Sequence, residues 1–215
     1  ENYDRELTDV FQTQDDIARS IAGALRVPLG LQAGESLVAN RTVDTASYQD
    51  YLRAKALVRA RGGSTSFAAS IALLEQVVAR VPDYAPAWAL LAQAYAQEPI
   101  FSTNPASAEE QRRIAEAAVL RAEAAGRRAI ALNPLDADAY IGLAYIRATS
   151  GKYLEAEDLY KQAAKLDAFN PELLHLYGLT VAVVGRLNEA ATMRQRLKAL
   201  EPFVPIYNAM TVRIM

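Results

Sequence analysis

Apolar residues recur along most of the chain at spacings of three and four, which is the period of an amphipathic α-helix. Within residues 134–202 this helical pattern itself repeats after 34 positions, so that Gly151 is followed by Gly185 and Ala156 by Ala190. A fixed period near 34 with small residues at fixed offsets is typical of a helix–turn–helix repeat. The sequence therefore predicts an all-α fold of stacked antiparallel helix pairs, with about four repeats after an N-terminal helix.

The places where the period fails divide the chain. Residues 1–44 are predicted to form an amphipathic helix and a linker, and to be the end of an upstream domain that this fragment lacks. Residues 45–215 are predicted to form the repeat array, with repeats at about 45–84, 85–136, 137–170 and 171–204 and a partial fifth repeat at 205–215. The second repeat carries an insertion at 97–114, which we expect to be a loop from Glu98 to Pro105 followed by an extended helix. Because Ser107 and Glu110 form a capping box, that helix is predicted to start there and to run to Leu132.

Glycines give two further expectations about packing. Gly62–Gly63 break the first repeat, and Ser64–Ser66 are expected to cap the helix that follows. Gly126 replaces a large residue on the alanine-rich face of the extended helix. We expect an aromatic side chain from a neighbouring helix to lie over Gly126.

Composition excludes several classes of function. The formal net charge is −2, and a non-specific nucleic-acid binder needs a basic face, so no nucleic-acid partner is predicted. The chain has no cysteine, which excludes disulfides and thiolate metal sites. No apolar run reaches the length of a membrane span. The cellular compartment is left open between cytoplasm and periplasm.

Candidate catalytic chemistry is sparse. His175 is the only histidine, and it is either a hydrogen-bonding or pH-sensing residue of a groove or, as we favour, an ordinary polar residue on a partly exposed helix. A zinc site would need further nitrogen or sulfur ligands. The acidic pairs Asp15–Asp16 and Glu109–Glu110 fit a solvated helix face and a helix N-terminus, respectively. The sequence therefore predicts no catalytic, metal or cofactor site, and the chain is not expected to be an enzyme.

Several positions resemble those of a known repeat family. Trp88, Leu91, Ala92 and Tyr95 follow the W-x2-L-G-x2-Y pattern of a tetratricopeptide-repeat (TPR) first helix, with alanine in place of glycine. Later repeats carry the family's small and aromatic positions at Ala156, Tyr160, Ala163, Gly178, Ala190 and Pro202. The resemblance covers about residues 45–215 and implies a right-handed superhelix. It departs from the family pattern at Gly126, at Arg147 and at the insertion.

The resemblance also implies a binding surface, because first helices line the concave face of such arrays. The candidate partner-binding residues are Gln93, Asp138, Ile141, Tyr145, Glu172, His175 and Leu179. Their side chains are small, apolar or weakly acidic, so we expect a protein or peptide partner that is apolar or slightly basic. The sequence thus predicts a protein-interaction scaffold, unless the insertion or the N-terminal segment fills the groove. The alternative is a homo-oligomerisation element, such as a homodimer, that uses the N-terminal helix and the apolar C-terminal segment.

A narrower resemblance lies at the front of the chain. Residues Tyr3–Leu7, Gln14–Ala18 and Ile21–Leu25 resemble the segment that closes a TolB-like domain just before its repeats. In bacteria such regions follow an adenylate/guanylate cyclase domain or a CadC-type DNA-binding domain, which implies that this chain is the regulatory or sensory tail of a signalling protein. The N-terminal helix needs cover for its apolar stripe, which includes Ile17 and Ile21. We expect it to pack on the first repeat, although another chain or the upstream domain could also cover it.

Overall fold

The chain is described from a computed structural model that places residues 13–14, 16–17, 19–21, 43–101, 107–205 and 207. The longer of these ranges contain eight helices: α1 (Thr45–Ala60), α2 (Ser64–Arg80), α3 (Ala85–Phe101), α4 (Ala108–Leu132), α5 (Ala137–Thr149), α6 (Tyr153–Leu166), α7 (Pro171–Val183) and α8 (Leu187–Leu200). No helix in the described ranges has the length and apolarity required to cross a membrane.

Consecutive helices pack as four pairs, which are α1 with α2, α3 with α4, α5 with α6 and α7 with α8. The first helix of each pair also packs on the first helix of the next pair. Such stacking buries a continuous core that one pair could not form alone. The predicted all-α array of stacked helix pairs is therefore confirmed.

The turns inside the first, third and fourth pairs each contain a left-handed backbone residue. Gly151 and Gly185 adopt φ of 76° and 85° between α5 and α6 and between α7 and α8. Between α1 and α2 the left-handed residue is Arg61, with φ of 47°. The expected serine cap is wrong: Gly63 is the N-cap of α2 and makes no side-chain capping bond. Ser66 instead donates to the Leu57 carbonyl oxygen at 3.0 Å, because α2 already begins at Ser64.

The insertion in the second pair lengthens both of its helices. We expected a loop from Glu98, but α3 continues through Pro99 to Phe101. Pro99 removes one helical hydrogen bond, and the stacking of Phe101 on the buried Phe67 ring at 4.9 Å holds the last turn in place. The predicted start of α4 is confirmed, since Ser107 accepts from the Glu110 backbone N–H at 3.1 Å. The rest of the expected loop lies outside the described residues.

The N-terminal helical residues touch the first pair. The Gln14 side chain donates to the Tyr48 hydroxyl at 3.3 Å, which ties this segment to α1. Ile21 nevertheless remains 55% exposed, so the array leaves part of the apolar stripe uncovered. The expected linker after this segment lies almost entirely outside the described residues.

The inner face of α4 is built from small residues and brings α5 very close. Gly126 is buried, and a Cβ placed on it would lie 2.7 Å from Leu143 Cγ and Cδ2 of α5. The expectation of an aromatic residue there is wrong, because the branched Leu143 side chain fills the space.

We predict that Gly126→Ala destabilises the protein by roughly 1 kcal/mol. Overpacking a core costs about 1–3 kcal/mol, which exceeds the gain of about 1 kcal/mol in helix propensity. Urea unfolding of the variant measures the net effect. Truncating the neighbour with Leu143→Ala should reverse its sign, so that Gly126→Ala stabilises in that background. The same loss in both backgrounds would contradict this explanation.

Candidate functional site

Five of the seven predicted partner-binding residues line two separate depressions on the first helices. Gln93, Asp138 and Glu172 line a cavity of about 160 Å³ near the N-terminal ends of α5 and α7, which we call the polar cavity. Tyr145 and Leu179 line a cleft of about 310 Å³ near the C-terminal ends of the same helices, which we call the apolar cleft.

The polar cavity contains a half-buried carboxyl group. Asp138 accepts a hydrogen bond from the Asn170 amide at 2.9 Å, and the Gln93 amide donates to the Asp138 carbonyl oxygen at 3.2 Å. Burial raises the pKa of Asp138, although the Asn170 amide and the nearby Lys55 ammonium oppose this shift. Lys55 and Arg59 of α1 line the same cavity, so it presents both acidic and basic groups.

The C-terminal segment closes one side of the polar cavity. Tyr207 is 3% exposed, and its hydroxyl donates to Glu172 Oε2 at 3.1 Å. Arg61 Nη2 lies 2.5 Å from Glu172 Oε1, and its guanidinium lies 5.8 Å from the centre of the Tyr207 ring. These contacts connect the end of α1 with α7 and with the C-terminal segment. Tyr207 therefore covers the groove here.

The ion pair beneath this cover is buried. The Arg61 side chain is 4% exposed and that of Glu172 is 17% exposed. Burial alone would lower the pKa of Arg61, but Glu172 and Tyr207 outweigh it and raise that pKa. Arg61 therefore remains charged and depends on Glu172 for its stability in the fold.

His175 lies in the core and not on a partly exposed face as we expected. It is 3% exposed, its ring lies 5.0 Å from that of Tyr207, and its Nδ1 lies 2.8 Å from Arg194 Nη1. Burial, together with the charges of Arg61 and Arg194, lowers the pKa of His175 to about 2. The ring is therefore neutral at physiological pH. Because arginine can only donate, Nδ1 is the acceptor and the ring proton sits on Nε2.

Two of the predicted residues have no surface to offer a partner. Ile141 is completely buried, and His175 is nearly so. The predicted register placed them on the inner side of α5 and α7. There Arg194 of α8 and Tyr207 cover His175, and Ile141 belongs to the buried core that α5, α6, α7 and α8 share. We therefore propose no direct partner contact for either residue.

The residues that sequence reasoning missed come from distant parts of the chain. Arg61 lies 111 residues from Glu172, and Arg194 lies 19 residues from His175 on the paired helix α8. The register of one helix cannot reveal such partners. The one available signal was the sequence Arg61-Gly62-Gly63, in which a charged residue stands at a helix break.

The polar groups that line the apolar cleft are mostly hydrogen-bonded within the protein. The hydroxyls of Thr149 and Thr180 line it, but both donate to carbonyl oxygens of their own helices. Burial raises the pKa of Tyr145 to about 12, so this side chain is neutral. Val183 is 69% exposed at the rim. The cleft can therefore accept an apolar group but offers few partners for a charged one.

Comparison with solved structures identifies the fold. No protein-family model and no curated protein matches the chain. The crystal structure of TTC0263, a thermophilic TPR protein of Thermus thermophilus, superposes with a TM-score of 0.61 at 17% identity, covering 97% of this chain and 96% of that one. The chain has a TPR fold. A crystal structure of MamA shares 21% identity over 64% of this chain and 90% of its own, with a TM-score of only 0.36.

At such low identity the likeness extends to the fold alone, and no partner is transferred from it. None of the comparisons supports the resemblance to cyclases or CadC-type regulators. Tyr3–Leu7 and most of the other residues that carry this resemblance lie outside the described residues.

We predict that His175 makes the stability of this TPR fold depend on pH. Below its ordinary pKa of 6.5, the unfolded histidine binds a proton while the folded one stays neutral, so acid favours unfolding. At pH 5 the free energy of unfolding should therefore be about 2 kcal/mol lower than at neutral pH. Urea unfolding between pH 5 and 7, with His175→Gln as reference, isolates this effect, since His175 is the only histidine. If the free energy of unfolding changed with pH in the same way in the wild type and in His175→Gln, the prediction would be wrong.

We predict that Glu172→Gln destabilises the fold by about 3 kcal/mol, because it leaves the buried Arg61 charge without its carboxylate. Thermal or urea unfolding measures this loss. The matched control is Glu189→Gln, which breaks a more exposed pair with Arg186 and should cost less than about 1 kcal/mol. Equal losses in both variants would contradict the importance of burial.

Proposed function

We propose that the chain is a non-enzymatic docking module whose apolar cleft binds a segment of a partner protein. The observation that carries this proposal is the cleft between α5 and α7, where Tyr145, Leu179 and the exposed Val183 meet in a concavity of about 310 Å³. An apolar concavity with few polar groups is the common form of a binding pocket.

The partner segment combines an apolar anchor with a basic group. The anchor enters the apolar cleft, and the basic group faces Asp138 in the polar cavity of the same helices. Asp138 and Tyr145 are seven residues apart on α5, or about 10 Å along the helix axis. An extended peptide covers this distance in about three residues. We therefore expect the anchor and the basic residue to lie about three positions apart.

For the full-length protein we propose that the array is the regulatory or sensory tail of a bacterial signalling protein. Support for this role comes from the resemblance of the front of the chain to a TolB-like segment. Gln14 ties this segment to α1 through Tyr48, so a domain preceding it would be coupled to the first repeat. The sequence of the full-length gene product tests this role directly.

The second candidate function is homo-oligomerisation through the N-terminal helix and the C-terminal segment. One observation favours it: Ile21 is 55% exposed on the apolar stripe of the N-terminal helix. The C-terminal part gives weaker support, because Tyr207 is used inside the array. Ile21→Asp should abolish any self-association that depends on this stripe.

We predict that peptides selected from an unbiased library on the immobilised protein carry the apolar and basic pair described above. Their affinity, measured by fluorescence anisotropy at low protein concentration, should fall roughly tenfold or more in Val183→Asp and in Tyr145→Ala, since both remove cleft contacts. The control Leu120→Asp changes an equally exposed apolar residue of α4 outside the cleft. Peptides that bind all three variants as they bind the wild type would exclude the cleft as the site.

A further inference from the structure

Three exposed apolar side chains recur at the turns between repeats. Leu135, Phe169 and Phe203 are 75%, 70% and 92% exposed. They are 34 residues apart and occupy the same position after α4, α6 and α8. We call this row the apolar ridge. Large apolar residues are normal on a surface when they are scattered, but a regular row of them points to an interaction site.

The fold itself does not need these side chains. The turn at Leu135 is held by its backbone N–H, which donates to the Asn133 side chain at 3.1 Å. The turn at Phe169 is held in the same way by Asp167 at 3.0 Å. Both bonds use only the backbone of the ridge residue, so any residue with a backbone N–H would serve there. Stability of the turn therefore does not explain why these positions are leucine and phenylalanine.

Two apolar clefts lie at the opposite edge of the array. The turns within each pair connect α5 to α6 and α7 to α8, at the far end of helices about 20 Å long. The apolar cleft lies at this edge. A second cleft, of about 240 Å³, lies beside it and is lined by Pro99, Ile100, Ala115, Ile146 and Thr149. Thr149 lines both clefts, so they form one continuous apolar edge.

The ridge and the clefts have the same spacing. One cleft lies between the second and third helix pairs and the other between the third and fourth. Each step along the ridge is likewise one helix pair. Two neighbouring ridge side chains of one molecule can therefore enter the two clefts of another without a change in repeat geometry.

The charges beside the two edges are also compatible. The exposed Asp167 flanks Phe169 on the ridge edge. Lys165, four residues before Phe169, adds a positive charge nearby. The exposed Lys152 flanks Tyr153 at the apolar cleft, and Arg186 on the same edge is already paired with Glu157 and Glu189. Asp167 of one molecule and Lys152 of another would therefore attract each other at the contact.

We propose that the apolar ridge of one copy of this chain docks into the two clefts of a second copy, head to tail. This inference rests on the proposed function, since it names a partner for the same apolar cleft. Two neighbouring ridge side chains expose roughly 300 Å² of apolar surface, so the contact is below the size of a standard specific interface and is weak. Because ridge and clefts lie at opposite edges, the contact is heterologous and adds further copies until a ring closes.

Sedimentation velocity of the wild-type chain from about 1 to 300 μM tests the proposal, and we expect reversible association in the upper part of this range. A ridge variant, Phe169→Asn with Phe203→Asn, and a cleft variant, Val183→Asp, should each remain monomeric. All three positions are well exposed, so both variants should fold, which circular dichroism and melting temperature verify. The control Leu120→Asn should associate like the wild type.

The decisive measurement is an equal mixture of the two variants. The ridge variant retains both clefts, and the cleft variant retains the ridge. The mixture should therefore form a dimer that does not grow further. A monomeric wild type, variants that still associate alone, or a mixture that stays monomeric would each overturn the proposal. Peptide binding by the cleft is measured at low protein concentration, so its failure is distinguishable from a failure of self-association.

Discussion

The structure depends on how closely its helices approach, and small residues set that distance. Gly142 of α5 faces Ala92 of α3, and a Cβ added to Gly142 would lie 3.3 Å from the Ala92 Cβ. Gly126 admits Leu143 in the same way between α4 and α5. Because each pair is positioned by such contacts, equivalent residues of successive pairs fall into rows. The covered inner side of the first helices and the exposed row of turn residues both follow from this constraint.

A second interaction joins the ends of the array. Arg61 adopts a left-handed conformation that costs a non-glycine residue about 1–3 kcal/mol. Its side chain is held by Glu172 and packs against Tyr207, so the strained turn is fixed by contacts from the fourth pair and the C-terminal segment. The ion pair between Arg61 and Glu172 thereby limits how far the first and fourth helix pairs can separate. It also gives the polar cavity a definite shape, since Glu172 lines that cavity.

The sequence predicted what depends on local and periodic information. The 34-residue period indicated the fold, and Ser107 with Glu110 marked the start of α4. The features that it could not predict depend on distant partners. His175 is buried by Arg194 and Tyr207, which no helical register reveals. Pro99 fails to end α3 because Phe101 stacks on Phe67. The candidate groove was predicted as one surface, but close packing covers Ile141 and leaves two separate depressions.

The apolar cleft can serve both proposed interactions, but not at the same time. A ridge from a second copy and a segment from a partner protein would compete for Tyr145 and Val183. By mass action, self-association lowers the apparent affinity for the partner in proportion to the fraction of clefts already occupied. Because the ridge contact is small and therefore weak, it competes only where the chain is concentrated. Local concentration would then decide whether this TPR array presents its cleft to another protein or to itself.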